Sequence, residues 1–153
     1  MGQRLQDYFG DFGKLCFGSG ADNEQGIQLN TYQEGDEGVT RIVPPQHLQG
    51  WPGIMQGGAI SVLMDCTITS LAYATACRKA GLAAGDPATP TYVTVNFTVD
   101  FLKPTPVSKQ VELRSRVEES DQRKMILACS LRADGEETAR GRAVMVRLRQ
   151  PGP

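Results

Sequence analysis

Apolar positions recur along this chain with two different periods. Leu5, Tyr8, Phe9, Phe12 and Leu15 keep helical spacing, which predicts a short amphipathic helix over residues 5–16, weakened by Gly10 and Gly13. Residues 27–32 and 39–43 alternate instead, predicting two strands with the Glu-Gly-Asp-Glu-Gly run at 34–38 as their turn. Pro44 and Pro45 end the second strand. After a loop rich in Gln, Gly and Pro (46–55), Gly57 and Gly58 open a long helix in which Ile60, Leu63, Met64, Thr67, Ile68 and Leu71 fall at helical intervals. Arg78 and Lys79 suit the negative end of that helix, and Gly81 suits a left-handed cap. The helix is apolar almost all round, so protein has to wrap it on most sides.

Beyond a Gly/Ala/Pro linker (81–90) the period becomes two. Val93, Val95, Phe97, Val99 and Phe101 are expected on one face of a long strand, with Tyr92, Thr94, Asn96, Thr98 and Asp100 on the other. Three more strands are expected at 111–118, 124–132 and 138–148, joined by hairpin-length turns into an antiparallel meander. The predicted class is α+β: a curved antiparallel sheet of six strands around one long central helix, preceded by a short N-terminal helix. The whole chain, 1–153, is expected to be one domain, with residues 1–20 as a covering helix and 27–148 as the core. The edge strands of such a sheet stay open unless a second copy covers them.

Composition narrows the classes of function. A net charge of -1 argues against nucleic-acid binding, which needs a basic surface. Residues 100–153 carry eleven Lys/Arg against eight Asp/Glu, a bias that suits a phosphate-bearing ligand at most and equally suits a solvated sheet face. The four cysteines form no CxxC pair, and a single histidine, His47, offers no His-rich zinc site. Free thiols in a reducing cytoplasm are the expectation, with no metal. The start lacks the pattern of a secretion signal. The apolar run around residues 60–76 is interrupted by Asp65 and several hydroxyls, so no membrane span is expected.

One residue stands out in that run. A carboxylate in apolar surroundings is costly unless it is paired or held for chemistry. Asp65 is such a carboxylate, with Ser61 and Thr69 as possible local partners one turn away. Gly57 and Gly58 sit where a helix leaves its first N–H groups unpaired, and glycine lets another group approach closely; a packing role against the sheet is the alternative.

The glycine pair, Asp65 and the strand TVNFTVDFLKPTP together resemble the hotdog superfamily, specifically its phenylacetate-degradation-type acyl-CoA thioesterases. The resemblance covers roughly residues 27–148. It implies a hotdog fold, a thioester-hydrolysing enzyme, no cofactor beyond the coenzyme A of the substrate, and a homodimer or a tetramer of stacked dimers. Asp65 would be nucleophile or general base, and the Gly57 and Gly58 N–H groups would polarise the carbonyl. Thr94, by its spacing from Pro104, would position water or carboxylate. Two departures are visible: Gln56 stands where the family commonly has His, and Gly50 stands where it often has Asn or Gln, leaving Gln49 or Gln46 for that space.

Geometry adds a constraint. Gly57 and Asp65 are eight residues apart, about 12 Å along a helix axis, so one carbonyl cannot reach both within a chain. Antiparallel helices in a two-fold dimer would bring Asp65 of one chain beside Gly57 of the other. Tyr92 and Asn96 are expected on the same wall as Thr94. Arg114, Arg116, Lys103, Arg140 and Arg142 are available for the phosphates of coenzyme A, and Trp51 for the acyl pocket or as a loop anchor. Two other readings remain: an acyl-CoA-binding protein without catalysis, suggested by Gln56, and a hotdog dehydratase or hydratase, for which His47 lies outside the expected helix.

Overall fold

The computed structural model describes residues 2–149. Its elements are a 3-10 segment η1 (Leu5–Gly13), strands β1 (Thr31–Glu34) and β2 (Glu37–Ile42), helix α1 (Gly57–Lys79), and strands β3 (Tyr92–Phe101), β4 (Val111–Ser120), β5 (Lys124–Ala133) and β6 (Glu136–Arg147). The six strands form one antiparallel sheet in the order β1-β2-β4-β5-β6-β3, wrapped around α1.

Local chemistry explains most of these elements. Asp134 and Gly135 both adopt positive φ in the two-residue turn between β5 and β6, and Gly35 does so between β1 and β2. Helix α1 ends as its sequence predicts. Gly81 takes φ 70°, its N–H donates to Arg78 O at 3.0 Å, and the Leu82 N–H donates to Cys77 O at 3.1 Å. The core lies between α1 and the inner sheet face, with Leu63, Met64, Ile68 and Leu71 packed against Leu113, Met125, Leu127, Leu131 and Met145.

Four expectations need correction. The strand expected at 27–32 starts only at Thr31, because the backbone before it pairs with the N-terminal segment: Ile27 N–H donates to Phe17 O and Leu29 N–H to Gly18 O, each at 2.9 Å. The N-terminal helix is a 3-10 segment broken at Gly10 (φ 56°), where the chain passes so close to the Gly85 carbonyl that a Cβ would stand 2.9 Å from it. Only part of its apolar stripe is covered. Leu5 and Tyr8 are buried and Phe9 packs edge-on against Tyr73, but Phe12 is 76% exposed. The meander is also interrupted, since β3 crosses over to pair with β6 and becomes an edge.

The last correction concerns β3 itself. Its register against β6 shifts between Thr94 and Asn96, so Val95 is an extra residue in a bulge. Before the bulge Thr94 stands opposite buried Met145; after it Phe97 stands opposite buried Ala143. Thr94 and Phe97 therefore share the helix-facing side, Val95 is 56% exposed, and Asn96 falls on the far side. Strict alternation cannot register such an insertion.

Candidate active site

Asp65 is the single acid on α1. It belongs to a half-buried stripe with Ser61, Val62 and Thr69, the one side of the middle of the helix not closed over by the sheet. Thr94 Oγ1 donates to Asp65 Oδ1 at 3.0 Å. Neither local alternative pairs with it: Ser61 Oγ donates to Gly57 O at 3.0 Å, and Thr69 makes no hydrogen bond to Asp65. Burial raises the Asp65 pKa; the Thr94 bond lowers it, and the nearby Cys16 thiolate raises it further. An acid with one hydrogen bond and no cation among the groups that shift it is a stronger base than a free carboxylate.

At the start of α1, Gln56 is the N-cap. Its Oε1 accepts the Ala59 N–H at 2.9 Å, and its backbone O accepts Ile60 N–H at 3.1 Å. The Gly57 and Gly58 N–H groups donate to no acceptor among the described residues. They lie at the positive end of the helix dipole, an arrangement that can stabilise an oxyanion. A Cβ on Gly58 would come within 2.8 Å of Gln56 Oε1, and one on Gly57 would meet the Phe101 ring at 3.3 Å. Glycine thus keeps both the cap and the approach open. Gln56, expected among the catalytic residues, caps its own helix through Oε1.

The other candidates separate into two places. Gln49 Oε1 accepts the Gly53 N–H at 3.2 Å and so orders the 50–55 loop that leads into α1. Trp51, on that loop, is 78% exposed, which excludes the loop-anchor reading within one chain. Phe101 and Leu102 are exposed nearby at the end of β3. Asn96, Arg114 and Arg116 line a groove of about 560 Å³ with Thr98, Arg140 and Arg142, on the sheet face turned away from α1. Within one chain they do not meet Asp65, which corrects the expected wall of Thr94 with Asn96. Arg114 is moreover occupied: it bonds Glu112 at 2.7 Å, Glu37 at 2.8 Å and Glu34 at 3.1 Å. Among the described residues no group of three or more His, Cys, Asp or Glu is placed to hold a metal.

One neighbour of the acid comes from a distant part of the chain. The segment that carries Cys16 lies on α1 next to Asp65, with Gly18 against the Cys66 side chain. The neighbouring Cys66 thiol, with Ser19 and the Gly18 and Ser19 backbone, pulls the Cys16 thiol down to about 4.

A sequence model of the thioesterase superfamily matches residues 52–140, which include the helix, the acid and the bulged strand. The chain belongs to the thioesterase superfamily. Acyl-coenzyme A thioesterase THEM4 of Rattus norvegicus is 29% identical over 92 residues, 60% of this chain and 34% of that protein. The chain therefore matches only about a third of that relative's length. A thioesterase superfamily protein of Shewanella loihica has the same fold with a TM-score of 0.65 and 29% identity, over 84% of this chain and 98% of its own. A Streptococcus mutans protein solved with acetyl CoA bound shares the fold alone, at 13% identity and a TM-score of 0.65 over 78% of this chain and 88% of its own.

Proposed function

We propose that the protein hydrolyses the thioester of a small or medium acyl- or aroyl-CoA, acting as a homodimer with Asp65 of one subunit facing the Gly57 and Gly58 amides of the other. The observation that carries this reading is Asp65: an acid on an otherwise apolar helix, raised by burial and held through one oxygen by Thr94. Its other oxygen is free to take a proton from water or to attack the carbonyl. The partner's two glycine N–H groups polarise the thioester C=O, a contribution of about 3 kcal/mol per donor to the transition state. Membership of the superfamily and the names of the relatives support the substrate class.

The dimer is supported by the separation along α1 and by the edges of the sheet. Gly57 and Asp65 lie about 12 Å apart along one helix, too far to serve one carbonyl. Strand β1 is bridged on its outer side at Tyr32 by Arg4, whereas β3 is a ten-residue open edge with Val93, Val95 and Phe101 exposed. An edge of that length and apolarity is what a second copy covers.

Two variants test the reading together. With a panel of acyl-CoAs and a thiol-trapping dye, Asp65→Asn lowers kcat/KM by about 10²–10⁴-fold. Gly57→Val also inactivates, with its fold checked by circular dichroism. Mixing the two inactive proteins under subunit exchange restores turnover, because each mixed dimer holds one site with both an intact acid and intact amides. Failure of the mixture to recover, or a monomeric active wild type, sinks the shared site. Tight acyl-CoA binding by the wild type without turnover would identify a binding protein instead.

A further inference from the structure

Phe101, the last residue of β3, stands beside the two unpaired amides of α1. A methyl group on Gly57 would meet the tip of its ring, with Cζ at 3.3 Å, Cε1 at 3.5 Å and Cε2 at 3.9 Å. Helical Cα–Cβ bonds tilt toward the N-terminus, so that contact lies on the side to which the first N–H groups of the helix point. The bulge at Val95 puts the ring there. It leaves Thr94 on the helix-facing side of β3 and brings Phe97, Val99 and Phe101 to that same side. One strand thus holds the acid through Thr94 and faces the amides through Phe101. Bulges recur where a strand has to aim a side chain into a site. Hydrogen bonds fix the backbone around the ring. The Leu102 and Lys103 N–H groups donate to Thr138 O at 2.9 and 3.1 Å. Thr105 Oγ1 donates to Thr138 Oγ1 at 2.7 Å, and Met55 N–H donates to Thr105 O at 2.7 Å, which ties the end of β3 to the residues entering α1. Phe97 and Val99 pack on the core, whereas Phe101 stays 56% exposed.

We propose that Phe101 is the specificity-determining wall of the acyl site, admitting acyl groups that are unbranched or planar at the carbon next to the thioester carbonyl and refusing branched ones. The inference rests on the thioesterase reading, in which the carbonyl oxygen sits on the Gly57 and Gly58 amides. With that oxygen fixed, the carbonyl carbon has two further arms, the sulfur and the acyl carbon. The ring tip fills the space next to Gly57, so the arm on that side has to run along the ring. The coenzyme A arm is long and polar and leaves for solvent. The acyl arm gains from apolar contact, and it is the one that lies on Phe101. A straight chain or a flat aromatic group can follow the face of the ring. A second substituent on the carbon next to the carbonyl would project into the ring. The ring cannot retreat, because the end of β3 is tied to Thr138.

Butyryl-CoA and isobutyryl-CoA are isomers that differ only in that branch. The ratio of their kcat/KM values therefore reads the wall and is insensitive to a general loss of folded enzyme. In the wild type the ratio favours butyryl. Phe101→Ala shifts it toward isobutyryl by about 10-fold or more, and Phe101→Leu by an intermediate amount. The shift is the same when N-acetylcysteamine replaces coenzyme A as the thiol. Circular dichroism checks that both variants fold, as expected for a side chain more than half exposed. A ratio unmoved by Phe101→Ala overturns the proposal. So does an effect that follows the change of thiol at constant acyl group, which would put the ring beside the sulfur arm. If the wild type hydrolyses no thioester, the thioesterase reading fails instead. The affinity ratio of the two acyl-CoAs, measured by calorimetry on the wild type and Phe101→Ala, then decides the wall by the same shift.

Discussion

Replacing Asp65 by Asn is expected to remove activity and, at neutral pH, to stabilise the fold. The carboxyl sits on a helix wrapped by protein, receives one protein hydrogen bond, and has a pKa raised above its ordinary 3.8 chiefly by burial. The folded chain therefore holds that proton more tightly than the unfolded chain does. The resulting stability is complete below 3.8 and is lost as pH climbs from there through the raised folded value. Above that window the ionised acid is a constant burden. Asn keeps the shape and can still accept from Thr94 Oγ1, but carries no charge. Burying an under-bonded polar group costs about 1–3 kcal/mol. Asp65 is only partly buried, so solvent screening reduces the gain to the order of 1 kcal/mol. For a chain of this size that is roughly 2–4 °C in Tm. Thermal unfolding of both proteins, followed by circular dichroism from about pH 7.5 down to about pH 4, should show the variant ahead at the upper end and the difference shrinking on acidification. An Asn variant less stable at neutral pH, or a Tm difference indifferent to pH, would refute burial as the source of the raised pKa.

Two further substitutions separate positioning from capping. Thr94→Val removes a bond that lowers the Asp65 pKa, so the acid limb of the kcat/KM profile should move to higher pH, with a loss of roughly 3- to 10-fold at the plateau; a limb that stays in place counts against the contact. Gln56→Ala removes the bond to Ala59 N–H and should lower stability by about 0.5–2 kcal/mol, read as Tm, while costing far less activity than Asp65→Asn. A loss as severe as that of Asp65→Asn would show that Gln56 acts in the chemistry as well as in the cap.

Elements set by local chemistry were legible in the sequence. The cap at Gly81, the Asp134-Gly135 turn and the span of α1 follow from residue types within a few positions of one another. Expectations that depended on distant partners failed. Residues 27–30 alternate like a strand, but the Ile27 and Leu29 N–H groups go to Phe17 O and Gly18 O, a choice that spacing does not encode. The bulge at Val95 reversed the expected face of Asn96, because a sequence of alternating types looks the same whether or not one residue is skipped by the partner strand. Arg114 reads as a free cation until Glu34 and Glu37, nearly eighty positions away, fold against it. The packing of Gly18 on the Cys66 side chain has the same character.

Two buried polar groupings on α1 show why Asp65, and not its neighbours, marks the site. On the other side of the helix, Gln6, Thr31, Thr40, Thr67 and Ser70 form a chain of hydrogen bonds of 2.8–3.0 Å that docks η1 and the first hairpin. Thr67 and Ser70 then return their protons to Leu63 O and Cys66 O. Every member is satisfied, so that network needs nothing more than to hold the parts together. Among the described residues the opposite stripe breaks several rules at once: an acid with one donor, two helix-terminal amides without acceptors, and an apolar edge strand left open. Elsewhere among the described residues only Thr89 Oγ1 is a buried side-chain polar atom without a partner. Local costs that gather along one helix face and the strand beside it, in a chain otherwise consistent from turns to core, are what a site completed by a substrate and a second subunit requires.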